Sequence, residues 1–577
     1  MKTIIKITCL VLFLHQTIFA INYYVSPSGN DLNAGTSTVT AWKTFQKACN
    51  AATAGSTVYL MAGTYNEKVI LNVSGTSTNR LTIRNYNSDV VIIDGTGISS
   101  QDEILNIHTK SYVTIQGLIF QNSIGNNSMG IFTDGICSNL VFKRNIIRQI
   151  YFSSNPNATI SGNTNAVPFL VWGTDANTPI TNLTVDSNTI YNCRTGFSEA
   201  LTLDGNVDTF TVKNNLVHDI TNIGILAAGN YGVCPNAAND QARNGIIKWN
   251  KTYNCISPYA TSGGIYVDGG RSVVIENNIS YHNGWGIEVG CEILGKTTSD
   301  ITVRNNILYN NTQSGFAFGG YDYPATSGKI YNCNFSGNTI FLNDSTNSGN
   351  GEVFISYSEN CVFQNNIIYT SSTDIAFAQD GALPLNLLSN YNLFYDPAGA
   401  ASITFLYGGA TYTGFTNYKT GTSLDLNSLI GNPNFVSVTL PNPDLHLTAS
   451  SPAIDAGNPT YIAGNTEVDM DNQLRIFNTR VDMGADEFNS VSTLVFETKI
   501  NEVLIYPNPS TTEFFISGDF ARQTFIELYD SNGNNVLTDI IRTNFQKINI
   551  QNFSKGMYFY KVINSEGKSS NGKIIVE

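Results

Sequence analysis

The chain has 577 residues, a formal net charge of −13 and only 13% charged residues. A nucleic-acid binder needs a basic surface to displace counterions from phosphates, so this acidic balance argues against a nucleic-acid partner. The 42% hydrophobic content argues against global disorder, and 49 Gly with 16 Pro exclude a collagen-like chain.

Residues 1–20, MKTIIKITCLVLFLHQTIFA, place Lys2 and Lys6 before an apolar run that ends at Ala20. A basic start, a short apolar run and a small residue at its end predict a signal peptide cleaved near Ala20. Such a peptide directs export across the inner membrane. No later stretch has about 18 consecutive apolar residues, so no transmembrane segment is expected in the mature chain.

The segment after the signal peptide is predicted to cap a solenoid. AWKTFQKACNAATAG (41–55) has helical spacing and closes on Gly55, and STVYLMAGTYNEKVIL (56–71) supplies the first strands. A cap is needed because an open solenoid end exposes apolar core and unpaired strand groups.

One pattern recurs between residues 140 and 370: a short alternating apolar strand, a polar pair closing on Asn, and a second apolar run. The Asn positions, 27 or 28 residues apart at their closest, are Asn145, Asn188, Asn215, Asn250, Asn278, Asn306, Asn338 and Asn366. This period predicts one coil of a right-handed parallel β-helix with three short strands per coil. Asn tolerates the left-handed corner conformation, and its amide can bond to the same amide one coil away, so a buried Asn ladder is expected.

A second strand series lies between the Asn motifs and is predicted to form one wall of the β-helix. Its members are ALTLDG (200–205), GILAAG (224–229), GGIYVDGG (263–270), WGIEVG (285–290) and GFAFGG (315–320). Alternation directs Leu, Ile, Val and Phe inward and leaves Thr202/Asp204, Leu226/Ala228, Tyr266/Asp268, Glu288/Gly290 and Ala317/Gly319 outward. Parallel strands lie about 4.8 Å apart, so acids distant in the chain should meet on this wall.

Asp268 and Glu288 are predicted to be the catalytic pair of a glycan-cleaving enzyme. They lie on adjacent coils two residues out of phase, which gives a backbone diagonal of roughly 8 Å. Side-chain lean then allows either the separation of about 5 Å used by retaining glycosidases or the roughly 6.5–9.5 Å of inverting ones. The proximity of two carboxyls should raise one pKa, as a proton donor near neutral pH requires.

Other residues on or near this wall have expected binding roles. Trp285, Tyr266 and Tyr321 are expected to stack on sugar faces, and Arg271 to hold a uronate carboxylate. His282 and Asp322 complete the predicted substrate-binding set. Glu199 is a further acid considered for the wall.

A calcium site competes with the catalytic interpretation of these acids. Asp204 and Glu292 are the candidate calcium ligands, because clustered carboxylates supply the oxygen atoms that calcium prefers. No other cofactor is expected.

The end of the chain is predicted to hold three further parts. Residues 446–488 close the β-helix of 21–445, residues 489–500 form a linker, and residues 501–577 form a small β-sandwich. Short alternating strands such as EFFIS (513–517) and YFYKVIN (558–564), joined by Asn/Gly turns, support the sandwich.

Several segments also resemble known families. YYVSPSGND…WKTFQKA…GSTVYLMAGTYNE, with the Asn coils, resembles secreted pectate-lyase-like right-handed β-helix proteins. HLTASSPAIDAGNPT…DMDNQLRIFNTRVDMGADEF resembles a closing segment found behind such helices in anchored bacterial proteins. NEVLIYPNPSTTEFFI, KGMYFYKVINSEGK and KIIVE resemble the C-terminal sorting domain of the type IX secretion system of Bacteroidetes. The resemblance implies an all-β fold, the type IX machinery as a partner, and a secreted or cell-surface location.

Three functions stay open at this point. The first is a glycoside hydrolase that uses Asp268 and Glu288. The second is a calcium-dependent polysaccharide lyase acting on a uronate polymer, and the third is a non-catalytic glycan-binding protein or adhesin. The Gly-His-Gly of polygalacturonases and the Arg-x-Pro-x-x-Arg of pectate lyases are absent, so those two substrates do not follow. A polysaccharide partner and a monomeric protein are expected.

Overall fold

The computed structural model describes residues 21–489, 503–518, 520, 524–530, 534–541, 545–563 and 569–577. The predicted signal peptide at 1–20 and nearly all of the predicted linker at 489–500 lie outside the described residues. The described chain forms an all-β, right-handed parallel β-helix and a β-rich C-terminal unit. The predicted fold class is therefore confirmed.

Three long parallel sheets build the β-helix, and successive coils pair in register. Sheet 1 follows the strands Asn22–Val25, Thr57–Leu60, Leu81–Asn85, Val113–Gln116, Val141–Lys143, Ile180–Asp186, Val207–Lys213, Arg243–Lys248, Arg271–Glu276, Thr302–Arg304, Asn334–Ser336, Val362–Gln364 and Leu388–Asn390, with Thr297–Ser299, Lys329–Tyr331 and Ser358–Glu359 beside it.

Sheet 2 contains Gly63–Tyr65, Val91–Asp94, Ile119–Ile124, Ile146–Tyr151, Thr189–Cys193, Leu216–Ile220, Lys251–Cys255, Ile279–Tyr281, Ile307–Tyr309, Thr339–Phe341, Ile367–Tyr369, Leu393–Tyr395 and Leu429–Ile430. Sheet 3 contains Val69–Ile70, Glu103–His108, Ser128–Asp134, Ala166–Gly173, Leu201–Gly205, Ile225–Ala228, Gly263–Asp268, Trp285–Gly290, Ser314–Gly319, Val353–Ile355, Ile375–Gln379, Thr404–Tyr407 and the antiparallel Ala410–Thr413.

The predicted Asn ladder runs along the turn between sheets 1 and 2. From Asn145 to Asn392, each side-chain amide donates to the side-chain oxygen of the next Asn at 2.9–3.1 Å. The ladder residues have ordinary backbone conformations. The left-handed conformation falls one residue earlier, for example at Asn214 (φ 55°) and Asn277 (φ 55°), so the expectation that the ladder Asn itself adopts it was wrong.

A helix covers each end of the solenoid core. The predicted N-terminal cap contains the helix Phe45–Ala51, which begins after Thr44, whose hydroxyl accepts from the Lys47 amide at 3.1 Å. At the other end the helix Phe415–Thr422 packs Tyr418 against Phe405, with ring centroids 3.9 Å apart. Both helices bury aromatic side chains in the same continuous core.

The predicted closing segment, 446–488, lies along the side of the β-helix and does not cover its end. Together with the antiparallel pair Phe435–Ser437 and Asp444–Leu447, it packs Leu447 and Met483 against the outer face of sheet 2. Arg475, 1% exposed, anchors this segment to the β-helix by donating from Nε to Asn305 Oδ1 at 3.0 Å, and it forms an ion pair within the segment with Glu487 at 2.8 Å.

The C-terminal unit has two antiparallel sheets around one apolar core, as expected for a small sandwich. The first sheet contains Leu504–Tyr506, Glu513–Ser517 and Phe545–Asn549. The second contains Thr524–Tyr529, Asn535–Ile541, Gly556–Ile563 and Ser569–Val576. Phe514 of the first sheet and Ile526 of the second are fully buried in the shared core. Among the residues described, no helix is long and apolar enough to cross a membrane.

Candidate active site

A cavity of about 790 Å³ lies on the outer face of sheet 3, where the second strand series was predicted to form a wall. Its floor is made by the outward side chains of five neighbouring strands, from Leu201–Gly205 to Ser314–Gly319. Phe197 and Thr261, from loops that precede these strands, form one flank, and Tyr231 and Tyr321, from loops that follow them, form the other. The predicted wall is thus the floor of a cavity.

The parallel register brings Asp268 and Glu288 to this cavity. Asp268 pairs with Gly290 on the next coil, whereas Glu288 pairs with Tyr266, so the two acids are two residues out of phase as predicted. Their inward neighbours Val267 and Val289 are fully buried in the core. Strand alternation therefore leaves both carboxyls facing the cavity.

Hydrogen bonds hold both carboxylate oxygens of Asp268. Oδ1 accepts from the backbone amide of Glu292 at 2.8 Å, and Oδ2 accepts from the hydroxyl of Tyr231. Burial and the nearby Glu292 carboxylate raise the pKa of Asp268 to about 7, although these two hydrogen bonds favour its ionised form.

Glu288 has a different environment. Within the described chain no side chain or amide donates a hydrogen bond to its carboxyl. Burial, followed by the charges of Glu292 and Asp268, raises the pKa of Glu288 to about 8. This carboxyl is therefore expected to hold a proton at neutral pH.

Two further acids lie at the end of the cavity that is nearer the N-terminus. Burial raises the pKa of Glu199 to about 7 although the Thr202 hydroxyl donates to its carboxylate at 2.8 Å. Burial likewise raises the pKa of Asp204 to about 7, against a hydrogen bond from the Gly205 amide at 2.7 Å. With Asp268, Glu288, Glu292 and Asp380, six carboxyl groups line the cavity.

No Lys, Arg or His is among the described residues that line this cavity. The six acids therefore have no cationic side chain beside them in the cavity. Burying a carboxylate without a cationic partner is costly, and the raised pKa values of Glu199, Asp204, Asp268 and Glu288 express that cost.

The structure brings several predicted binding residues to the cavity and leaves others out. Tyr266, Trp285 and Tyr321 line it, as do Asp204 and Glu292. The Trp285 ring packs edge-on against Phe354, with ring centroids 5.2 Å apart.

Arg271, His282 and Asp322 do not line the cavity, so the structure does not bring them together with the other predicted binding residues. The turn at Gly269, with φ +75°, carries the chain to sheet 1 before Arg271. His282 lies at the corner after a sheet 2 strand and contacts Asn310 at 2.5 Å. Asp322 accepts from Thr326 within its own loop at 2.6 Å.

No three of the described cavity acids bring carboxylate oxygens within 4.8 Å of one another. Among the described residues, three potential ligand atoms lie within 4.8 Å of one another only at His446, Asp471 and Asp486, which are outside the cavity. The predicted calcium ligands Asp204 and Glu292 stay a prediction.

Sequence reasoning missed Tyr231 and Asp380. Tyr231 lies in the irregular excursion that follows the strand Ile225–Ala228, and Asp380 follows the strand Ile375–Gln379. Neither position belongs to a repeating column. The sequence feature that could have indicated these two residues is their position shortly after the end of a sheet 3 strand.

Comparison with known families agrees with this architecture. Residues 23–231 match the family described as "Pel9A-like, right handed beta helix region", and residues 239–422 match "Right handed beta helix region". Residues 504–577 match "Secretion system C-terminal sorting domain". The protein is thus a pectate-lyase-like β-helix protein with a type IX sorting domain, which indicates export to a secreted or cell-surface location.

Similarity to an individual protein shows which family the chain belongs to. The chain is 31% identical over 427 residues to the uncharacterized protein YwoF of Bacillus subtilis strain 168, covering 71% of this chain and 88% of YwoF. It therefore belongs to the same family as YwoF.

Two named lyases are similar to a lesser degree. Pectate lyase PEL9 of Emericella nidulans is 40% identical over 84 residues, which is 14% of this chain and 20% of that protein. The crystal structure of pectate lyase Pel9A has 15% identity and a TM-score of 0.41, covering 81% of this chain and 96% of Pel9A.

Proposed function

We propose that the protein is an exported glycoside hydrolase whose reaction takes place in the cavity on sheet 3. The observation that supports this function best is the pairing, on one wall, of a hydrogen-bonded Asp268 with a half-buried Glu288 that accepts no hydrogen bond from the described chain. One carboxyl kept ionised and one kept protonated are the two groups that glycosidic cleavage requires. The likeness to pectate lyase PEL9 supports a carbohydrate as the substrate class.

In this reaction Glu288 donates its proton to the glycosidic oxygen while the bond to the leaving sugar breaks. Asp268 stabilises the positive charge that develops at the anomeric carbon. It then follows one of two routes. In the first, Asp268 forms a bond to that carbon, and a water that gives its proton to Glu288 breaks this bond in a second displacement, so the configuration is retained. In the second, Asp268 takes a proton from a water that attacks the carbon directly, so the configuration is inverted. The aromatic rings of Trp285 and Tyr266 supply apolar surface against which sugar faces pack.

The polysaccharide lyase alternative has less support. A lyase removes a proton next to a uronate carboxylate. It needs a base, usually a Lys or Arg side chain, and a cation, which is Ca²⁺ in the calcium-dependent alternative, to neutralise that carboxylate. Arg271, the cation predicted for this task, belongs to sheet 1, and the described cavity lining contains only acids as charged groups.

The test is an activity screen of the purified protein against a polysaccharide panel. New reducing ends without ultraviolet absorbance from unsaturated sugars support the hydrolase. Asp268→Asn and Glu288→Gln should each lower turnover by about 10³-fold or more, because each removes one essential group. The matched control is Asp300→Asn, which removes one exposed carboxylate outside the cavity.

Unsaturated products would overturn the hydrolase in favour of the lyase. Full activity of both catalytic variants would show that the pair is misassigned. Binding of a glycan without any turnover would identify a binding protein.

A further inference from the structure

The cavity contains more carboxyl groups than glycosidic cleavage requires. Two carboxyls perform the reaction, yet Glu199, Asp204, Glu292 and Asp380 line the same space. Glu292 already accepts from the Tyr266 hydroxyl at 3.4 Å and holds Asp268 through its backbone amide. Glu199 and Asp204 have no such part in holding the pair.

Two buried polar groups of the cavity lining have no hydrogen-bond partner in the described chain. Asn222 is 3% exposed, and its Oδ1 accepts no hydrogen bond there. Trp285 is 7% exposed, and its Nε1 donates none. Since buried polar groups are nearly always paired, an unpaired acceptor and an unpaired donor in one cavity point to a ligand that supplies both partners.

The unpaired acceptor lies beside the surplus acids. Asn222 Nδ2 donates to the backbone carbonyl of Ser198, the residue that precedes Glu199, at 3.2 Å. The neighbourhood therefore offers the carboxylate of Glu199 and the amide oxygen of Asn222, with Asp204 close enough to raise the pKa of Glu199. All three side chains offer oxygen atoms that can accept hydrogen bonds, and the described cavity lining contains no cationic side chain.

We propose that this end of the cavity, formed by Glu199, Asp204 and Asn222, binds the protonated amine of an amino sugar. An ammonium group can donate three hydrogen bonds, and it supplies the positively charged partner that the carboxylates of Glu199 and Asp204 lack. Trp285 lies three strands along sheet 3 from the strand Leu201–Gly205, so its free indole Nε1–H suits a hydroxyl or ring oxygen of another sugar unit of the same glycan. This inference rests on the proposed function and names its substrate class: glycans with unacetylated amino sugars, in place of the uronates suggested by the pectate lyase likeness.

The experiment measures binding by isothermal titration calorimetry in buffer that contains a chelator. The probes form two matched sets of oligosaccharides. The first set contains chitosan oligosaccharides, their N-acetylated counterparts and cello-oligosaccharides. The second set contains the corresponding oligosaccharides of galactosamine, N-acetylgalactosamine and galactose. The expected result is that in at least one set the amine-bearing member binds at least about ten-fold more tightly than both uncharged members.

Amide variants localise the effect. Glu199→Gln and Asp204→Asn should each remove most of the amine preference, while Asp300→Asn, a charge change outside the cavity, should keep it. Thermal unfolding of each variant checks that the fold is retained. If no amine-bearing oligosaccharide is preferred, or if the preference survives in both cavity variants, the proposal is overturned.

A parallel titration with Ca²⁺ alone, without chelator, separates an amine site from a cation site. Calcium binding that both cavity variants lose, with no amine preference in the wild type, would overturn the proposal and assign the acids to calcium. Reducing-end release, measured on the same samples, separates this inference from the proposed function. Hydrolysis without amine preference contradicts only the inference, whereas amine preference without hydrolysis contradicts only the function.

Discussion

Asp268 accepts hydrogen bonds on both carboxylate oxygens, while Glu288 accepts none from the described chain. Identical chemical groups thus acquire different proton affinities from their surroundings. Donors that point at a carboxylate favour its ionised form, and burial without donors favours the acid. The division of roles at this site therefore depends on the neighbours of each carboxyl.

The first prediction concerns the pH dependence of cleavage. Activity requires Glu288 protonated, so it should fall as pH rises through about 8, and it requires Asp268 ionised, so it should fall as pH drops below about 7. A bell-shaped profile of kcat/KM with its maximum between about pH 7 and 8 is expected. Unchanged activity two pH units above the pKa of Glu288 would contradict Glu288 as the proton donor.

Tyr231→Phe provides a second prediction at the residue scale. The Tyr231 hydroxyl donates to Asp268 and favours its ionised form, so its loss should raise the pKa of Asp268. The acidic limb of the kcat/KM profile should move to higher pH, while the basic limb set by Glu288 stays in place. A role limited to shaping the cavity would instead lower activity equally at every pH.

The repeating element of this molecule is the coil, and each coil is joined to the next by backbone pairing and by the Asn ladder. Asn278 donates to Asn306 at 3.0 Å and accepts from Asn250 at 3.0 Å, and it is fully buried. Because each amide serves both neighbours, one substitution leaves unpaired groups on two coils.

Asn278→Ala should therefore lower the free energy of unfolding by roughly 2–5 kcal/mol, since several buried hydrogen-bonding groups lose their partners. Denaturant or thermal unfolding measures the change. Asn427→Ala is the matched control, because Asn427 is exposed and makes no side-chain hydrogen bond in the described chain. Equal stability of the two variants would contradict a stabilising role for the ladder.

At the scale of the whole molecule, the cavity and the sorting domain belong to different compact units. Every residue that lines the cavity lies between Gly162 and Asp380, whereas the sorting domain begins after residue 500. The β-helix has its own continuous core, and so has the C-terminal unit. Chemistry and sorting are therefore expected to be separable.

A chain that ends at residue 489 should keep the glycan-cleaving activity of the full protein when purified, because it retains the entire cavity. Produced in its host, the same truncated chain should fail to reach the cell surface or the medium. Activity assays and cell fractionation measure the two effects. Loss of activity in a truncated chain that still unfolds cooperatively would show that the C-terminal unit contributes to the site.

The order of residues by itself determined the coil, because the spacing of the ladder Asn residues and the alternation of inward positions such as Ile265 and Val267 depend only on local periodicity. The same alternation predicts that Asp268 and Glu288 share one outward wall, and both line the cavity on sheet 3. The periodic pattern of the sequence predicts positions in the structure correctly because each coil stacks on a neighbouring coil of the same kind.

Only the tertiary structure decided what surrounds that wall. Tyr231 and Asp380 come from irregular loops whose lengths follow no period. Arg271 lies outside the cavity because the chain turns at Gly269 and enters a strand of sheet 1. His282 lies outside the cavity because it is in the corner that follows a strand of sheet 2. Burial and hydrogen bonding then set which carboxyl keeps its proton. These properties depend on groups far apart in the chain, and one-dimensional spacing carries no information about their distances.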